Sequence, residues 1–428
     1  AACAPVDPAR SPMVARRSME GPAADSTDAA DRDPRRWRML LLLGIAELLG
    51  MSLWFTASAV APRLEAAWGL TPWQTSWLTA VVQLGFVVGT GAAAILNLAD
   101  LVPSRAYFAA AGIGAAVANA VVTVVPGFHA ALVFRFLTGF FLAGVYPPAM
   151  KMIATWFRSG RGLAIGTIVG ALTIGKATPY LVSAFGDRWR EVLLLASAGA
   201  TVASAMVAIA YRPGPFPFAR AAFSWGLVGR VWRHRPTRLA IGGYLGHMWE
   251  LYAMWTWVPA FLLASAAAAE ATGAAVPSDR VLGVLAFGAV AAGGLGCVWG
   301  GWAADRIGRG RVVNLAMGVS GGCAMLVGLL FGMSFWVLIP VTWVWGFFVV
   351  ADSAQFSAMV TEVAPSDAVG TALTLQTSLG FLLTMVTIQG VPAVESVVGW
   401  RWAFAALALG PAFGIAMIRR WKRITGAR

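Results

Sequence analysis

Twelve apolar blocks separated by short polar connections limit what this chain can fold into more than any other feature. They lie near 38–61, 73–97, 106–126, 129–154, 162–186, 190–211, 239–264, 281–303, 312–334, 337–360, 369–391 and 399–418. Each is about as long as the roughly 20 residues that a helix needs to cross a ~30 Å hydrocarbon core. Backbone groups inside hydrocarbon must be bonded within the segment, so such blocks cross as helices. The chain reads as an all-α membrane protein with twelve transmembrane helices, and its first partner is the lipid bilayer. Composition agrees: 59% of residues are hydrophobic and only 12% are charged, against about 25% charged in ordinary globular chains.

A formal charge of +13 would suggest nucleic acid in a soluble protein. Here the basic residues gather in alternate connections: Arg35-Arg36-Trp37-Arg38, Arg105, Arg158 with Arg161, 230–238, 306–311 and 419–423. By the positive-inside rule both termini are cytoplasmic, and a multi-pass protein of the cell membrane with no nucleic-acid partner is expected. Two connections depart from the pattern, Asp187-Arg188-Trp189-Arg190 outside and the one carrying Glu362 and Asp367 inside. Residues 1–36 read as a disordered cytoplasmic tail. Residues 37–211 and 238–420 form two six-helix bundles, 212–237 a cytoplasmic central loop, and 421–428 a short tail. In the loop, tryptophans and arginines interleave around Trp225, Arg230, Trp232 and Arg233; the run fits either a segment on the membrane surface or a plain basic linker. Cys3, Cys297 and Cys323 supply no disulfide framework.

Inside the blocks stand a few ionisable residues, each costing about 2.5 to 3.5 kcal/mol to insert unless paired. Lys176, one of only three lysines, lies roughly 22 Å from the cytoplasmic surface, with Glu250 roughly 18 Å and Glu47 roughly 13 Å deep. Arg135 lies about 9 Å in from the outer surface, and Asp352 sits in the tenth block. Helical spacing puts His247, Glu250, Met254 and Trp257 on one face of helix seven, and Glu47, Met51, Trp54 and Ser58 on one face of helix one. Helix ten offers Asp352 and Gln355, and helix four Arg135 and Tyr146. Aromatic stripes that carry acids point to a solute cavity; a buried ion pair of Lys176 with Glu47 or Glu250, and Arg135 gluing helices together, are the structural alternatives.

The two halves repeat. Ala99-Asp100 with Arg105 follows helix two, and Gly301-Trp302-Ala303-Ala304-Asp305-Arg306-Ile307-Gly308-Arg309 follows helix eight. The second copy resembles the loop motif of the major facilitator superfamily; the first is degenerate, with Leu96 and Leu101 in place of its glycine and arginine. Arg135-Phe136-Leu137-Thr138-Gly139 resembles that superfamily's fourth-helix arginine motif, and the likeness runs over residues 37–420. It implies a 6+6 fold with substrate held between the halves. It also implies a cytoplasmic gate formed by Asp100, Arg105, Gly301, Asp305, Arg306, Gly308 and Arg309, with Gly162 of helix five as its partner. Arg306 and Arg309 are expected to pair with Asp305. The segment Ala143–Lys151 and the helix-seven block look like the cyanate and nitrate/nitrite porter branch. Helices two and eight, however, lack the arginines with which nitrate porters hold their anion, and helix five lacks the Gly-Pro motif of drug antiporters.

No phosphate loop, metal-ligand cluster or nucleophile elbow occurs, so the sequence implies no enzyme, no cofactor and no metal. The resulting expectation is a monomeric secondary transporter that moves a small organic or inorganic anion with protons. Lys176 and Arg135 would bind the anion with Trp54, Tyr146, His247, Trp257 and Gln355, while Glu47, Glu250 and Asp352 would carry the proton. A proton-driven exporter of amphipathic cations and a non-transporting scaffold or sensor are the alternatives.

Overall fold

The computed structural model describes residues 33–96, 98–186, 188–216 and 224–426; the side chains of Ala99 and Asp100, and most of the expected N-terminal tail, lie outside the described residues. Within it the twelve helices are α1 (Arg35–Met51), α2 (Pro72–Ile95), α3 (Ser104–Val121), α4 (Phe128–Ala154), α5 (Arg161–Phe185), α6 (Trp189–Ala210), α7 (Arg235–Glu270), α8 (Asp279–Ile307), α9 (Arg309–Leu329), α10 (Phe335–Val363), α11 (Val369–Val398) and α12 (Trp400–Thr425). Ten of them are long and apolar enough to cross a membrane. The other two are α3 and α1, which breaks after Met51 and resumes as Thr56–Ala59. α4 and α10 are each interrupted once, at Ala143–Val145 and at Asp352. The chain thus alternates between a face that holds both described ends and an opposite face.

Local chemistry sets the helix ends. Thr71 and Gln74 form a reciprocal capping box that starts α2, with Pro72 in the first turn. The connection after α1, expected as a loop, holds a further helix, Ala61–Trp68, because Leu64 is fully buried and gives the segment something to pack. Gly308 has φ 90°, a conformation open to glycine, and so permits the tight turn from α8 into α9.

Glycines set how closely the helices approach, as expected in lipid, where small residues let backbones meet. In the first half a Cβ on Gly85 or Gly89 of α2 would strike the Phe136 or Phe140 carbonyl of α4 at 2.0 and 2.3 Å, and one on Gly139 would strike the Val82 carbonyl at 2.1 Å. In the second half a Cβ on Gly296 or Gly300 of α8 would strike the Phe347 or Ala351 carbonyl of α10 at 2.1 and 1.8 Å, and one on Gly346 would strike the Ala289 carbonyl at 1.6 Å. The same four-residue spacing recurs in α2 and in α8, so the internal repeat is written in contacts as well as in the loop motif.

Between the halves, α5 lies along α8 through a third glycine seam. A Cβ on Gly166 would come within 3.0 Å of the Cys297 carbonyl, and one on Gly170 within 2.8 Å of the Gly294 carbonyl. α2 meets α11 on the other side, where Ser76 donates to Gln389 at 2.9 Å and Phe86 stacks on Phe381 at 4.6 Å. Gly346→Ala should lower the melting temperature of the detergent-purified protein by several degrees. Gly318→Ala, where a Cβ meets nothing within 4 Å, should leave it unchanged or raise it slightly; equal behaviour of the two would refute the seam.

Candidate functional site

The break in α1 leaves backbone carbonyls without helical partners at membrane depth, and Arg135 of α4 meets them. Its Nη1 donates to the Leu53 carbonyl at 3.0 Å, its Nη2 to the Trp54 carbonyl at 2.5 Å, and its Nε to the Leu78 carbonyl of α2 at 3.1 Å. Nη1 also reaches Thr56 Oγ1 and Asn119 Oδ1, each at 2.9 Å. Asn119, on α3, donates in turn to the Leu193 carbonyl and Ser197 of α6, both at 3.0 Å. Carbonyl dipoles at the end of a helix are negative, so they compensate the buried guanidinium. Every donor nitrogen of Arg135 is engaged and the side chain is fully buried, which makes it a clamp inside the first half rather than an anion ligand of the chamber.

The clamp holds Trp54, and the Trp54 ring faces Lys176. The Lys176 ammonium sits 3.9 Å from the Trp54 ring centroid, 4.6 Å from Tyr252 and 5.6 Å from Trp255, and donates to the Tyr252 hydroxyl. Lys176 and Trp54 belong to the first half; Tyr252 and Trp255 belong to α7 in the second. A small chamber of about 60 Å³ is walled by Lys176, Tyr252 and Trp255 together with Tyr146, Tyr244, Ser353, Ser357, Thr377 and Phe381, and Trp54 backs this wall against Lys176, Tyr252 and Phe381. Glu47 is completely buried and close enough to Lys176 for their charges to interact. Neither of its carboxylate oxygens has a hydrogen-bond partner among the described residues.

Toward the face away from the chain ends lies a larger cavity of about 690 Å³, lined by Ser58, Arg63, Glu65, Tyr180, Trp257, Asp279, Glu395 and Trp400 among others. An aromatic partition separates it from the Lys176 chamber. The Tyr180 hydroxyl donates to the Trp255 carbonyl at 2.9 Å, and Phe55 packs against Tyr180, Tyr252 and Trp255. At the face that carries the chain ends the halves touch directly. A Cβ on Gly162 of α5 would lie 3.4 Å from Asp305 Oδ2, and one on Gly301 would lie 3.1 Å from the Gly162 carbonyl. The Asp305 carboxylate therefore stands at the positive N-terminal end of α5.

Other expected residues are placed differently. Glu250 turns into the second half, where Ser320 donates to it at 2.8 Å and Trp345 Nε1 at 2.6 Å. His247 lies 2.9 Å from Asp352, both buried within that half. Gln355 accepts from Arg309 at 2.8 Å, and Arg309 also pairs with Glu362 at 2.8 Å. Arg306 stacks on Trp302 at 3.8 Å. Neither arginine is thus engaged with Asp305: Arg306 lies over Trp302 of its own helix, and Arg309 is held by Gln355 and Glu362 of α10. Trp257 donates to the Ile388 carbonyl at 2.8 Å and lines the outer cavity rather than the chamber. Arg105 is exposed at the start of α3, and the Asp100 side chain lies outside the described residues. The sequence reading missed Tyr252 and Asn119. Tyr244, Met248, Tyr252 and Trp255 follow helical spacing on α7, and that aromatic face was the available signal for Tyr252.

Two six-helix bundles that share a charged chamber are the architecture of a membrane transporter working by alternating access. Residues 41–388 match the family model described as Major Facilitator Superfamily, and the chain belongs to that family of transporters. Its fold is similar to a bacterial homologue of the human lysosomal transporter Spinster, solved inward-facing and unoccupied, with TM-score 0.68 and 14% identity over 91% of this chain and 98% of that one. It is also similar to the nucleoside transporter NupG, with TM-score 0.67 and 13% identity over 90% of this chain and 100% of that one. No curated protein matches the sequence.

Removing the Arg135 clamp should be severe, because each buried carbonyl left unpaired costs about 1 to 3 kcal/mol. Arg135→Leu should destabilise the protein by several kcal/mol and strip it from the membrane fraction; Arg135→Lys should keep part of the stability. Fluorescence size-exclusion profiles with melting curves would measure both, and a well-folded Arg135→Leu protein would contradict the clamp.

Proposed function

We propose that this protein is a secondary active transporter that carries a small anion together with a proton across the cell membrane, with both termini cytoplasmic. The observation that supports this best is Lys176: an ammonium buried at the junction of the halves, held between Trp54 of one and Tyr252 of the other. The likeness of 143–151 and of the helix-seven block to cyanate and nitrate/nitrite porters points the same way. One unit serves as the working transporter, since the chamber is completed within a single chain.

In this reading Lys176 binds the anion and Glu47 carries the proton. An ionised Glu47 compensates Lys176 and repels a second anion. Once protonated, it leaves the ammonium free to attract one. Proton and anion thus favour each other's binding, and the loaded chamber carries no more net charge than the proton-free one. Asp305 and Gly162 hold the cytoplasmic side shut, and the anion reaches Lys176 from the outer cavity once the Tyr180–Trp255 partition parts. The rocking halves prefer one state or the other according to what occupies the chamber.

Lys176→Gln should abolish uptake into proteoliposomes while the protein stays folded; retained uptake would remove the anion reading. Wild-type anion affinity should rise as pH falls, by at most about tenfold per unit for one linked proton. Glu47→Gln should make that affinity independent of pH and leave counterflow intact while accumulation driven by a pH gradient disappears. Accumulation that survives in Glu47→Gln would take the proton from this residue.

A further inference from the structure

We infer that the anion is a monocarboxylate with a flat aromatic body, a statement about substrate class that rests on the anion reading above. The chamber brings together more donors than acceptors. Besides the Lys176 ammonium, its wall includes Trp255, and Trp54 backs the wall against the ammonium; both indole N–H groups are buried and without partners among the described residues. Those two rings are the ones that flank the ammonium, at 3.9 and 5.6 Å. One ammonium and two N–H donors suit a group with two acceptor oxygens and a single negative charge. A charge-assisted bond to a carboxylate is the strong contact such a set can make.

The remaining polar side-chain atoms of the wall are hydroxyls, on Tyr146, Tyr244, Tyr252, Ser353, Ser357 and Thr377. A second carboxylate, or a divalent anion, would find no counter-ion there, and an unpaired buried charge is costly. The body of the ligand would meet rings. Trp54 lies 5.6 Å from Phe381 and 5.8 Å from Tyr252, and Tyr252 lies 5.3 Å from Phe381. The chamber volume of about 60 Å³ equals the liquid volume of roughly two waters, so an aromatic acid enters by parting this stack. The ligand ring then slots between the parted side chains and stacks on them as they stacked on one another. Strongly hydrated inorganic anions gain nothing from these rings and meet only one cation to replace their water.

The test is the melting temperature of the full-length purified protein at mildly acidic pH with benzoate, benzamide, acetate, nitrate or sulfate at equal concentration. Benzoate should raise it by several degrees and compete with its own labelled form, while benzamide, acetate, nitrate and sulfate should each produce less than a fifth of that shift. Lys176→Gln should abolish the benzoate shift, and Phe381→Leu, which keeps the donors, should weaken it severalfold. Acetate or nitrate matching benzoate would overturn the aromatic body and leave the anion reading standing. A benzoate shift reproduced by benzamide or retained in Lys176→Gln, or a shift from none of the five, would overturn the inference. Stabilisation by tetraphenylphosphonium in place of every anion would overturn the anion reading itself.

Discussion

Arg135 and the break in α1 depend on each other. A helix interrupted in hydrocarbon exposes carbonyls that nothing in the lipid can satisfy, and a guanidinium at that depth needs several strong acceptors. Placed together, the two liabilities cancel: Leu53, Trp54 and Leu78 supply the acceptors and Arg135 supplies the donors. The rest of the site follows from this pairing. The backbone that Arg135 holds carries Trp54, and the Trp54 ring is the nearest aromatic face to the Lys176 ammonium. A charge buried in one half thus positions the ring that backs the chamber shared by both.

Much of the architecture was legible in the sequence, since the length of an apolar block states how far it reaches across a membrane. Of the binding residues expected from the sequence, Lys176 and Tyr146 border one chamber, with Trp54 against the Lys176 ammonium. Direction around each helix was not legible. A membrane helix is apolar toward lipid and toward its neighbours alike, so hydrophobicity does not say which side looks inward. The face of α7 that carries His247 and Glu250 drew attention because it is charged, yet it turns into the second half, and the chamber is lined instead by Tyr244, Met248, Tyr252 and Trp255. Likewise the arginines of the 301–309 turn seemed destined for Asp305 by proximity in sequence. Trp302, Glu362 and Gln355 were nearer in space.

Each half carries its own buried polar network. In the first, Arg135 and Asn119 tie the α1 break to α2, α3, α4 and α6. In the second, Glu250 joins α7 to α9 and α10, and His247 meets Asp352. Such bonds are directional and do not survive relative sliding of the helices that make them. Added to the close glycine contacts of α2 with α4 and of α8 with α10, they make each bundle behave as a single body. Among the described residues few bonds of this kind run from one half to the other: Ser76 to Gln389, Lys176 to Tyr252, Thr173 with Cys297, and Tyr180 to the Trp255 carbonyl.

The α5–α8 seam has a further consequence. Where large side chains interlock, two helices behave like meshed gears, and moving one past the other means lifting every tooth. Along Gly162, Gly166 and Gly170 on one side, and Gly294 and Gly301 on the other, there are few teeth to lift. Backbone rests on backbone at Gly162, Gly166 and Gly170, and only Thr173 and Ile174 of α5 reach a side chain over Gly293 and Gly294. The seam has the form of a plain bearing: two close-set backbones that hold the bundles in register with little side-chain interlock between them.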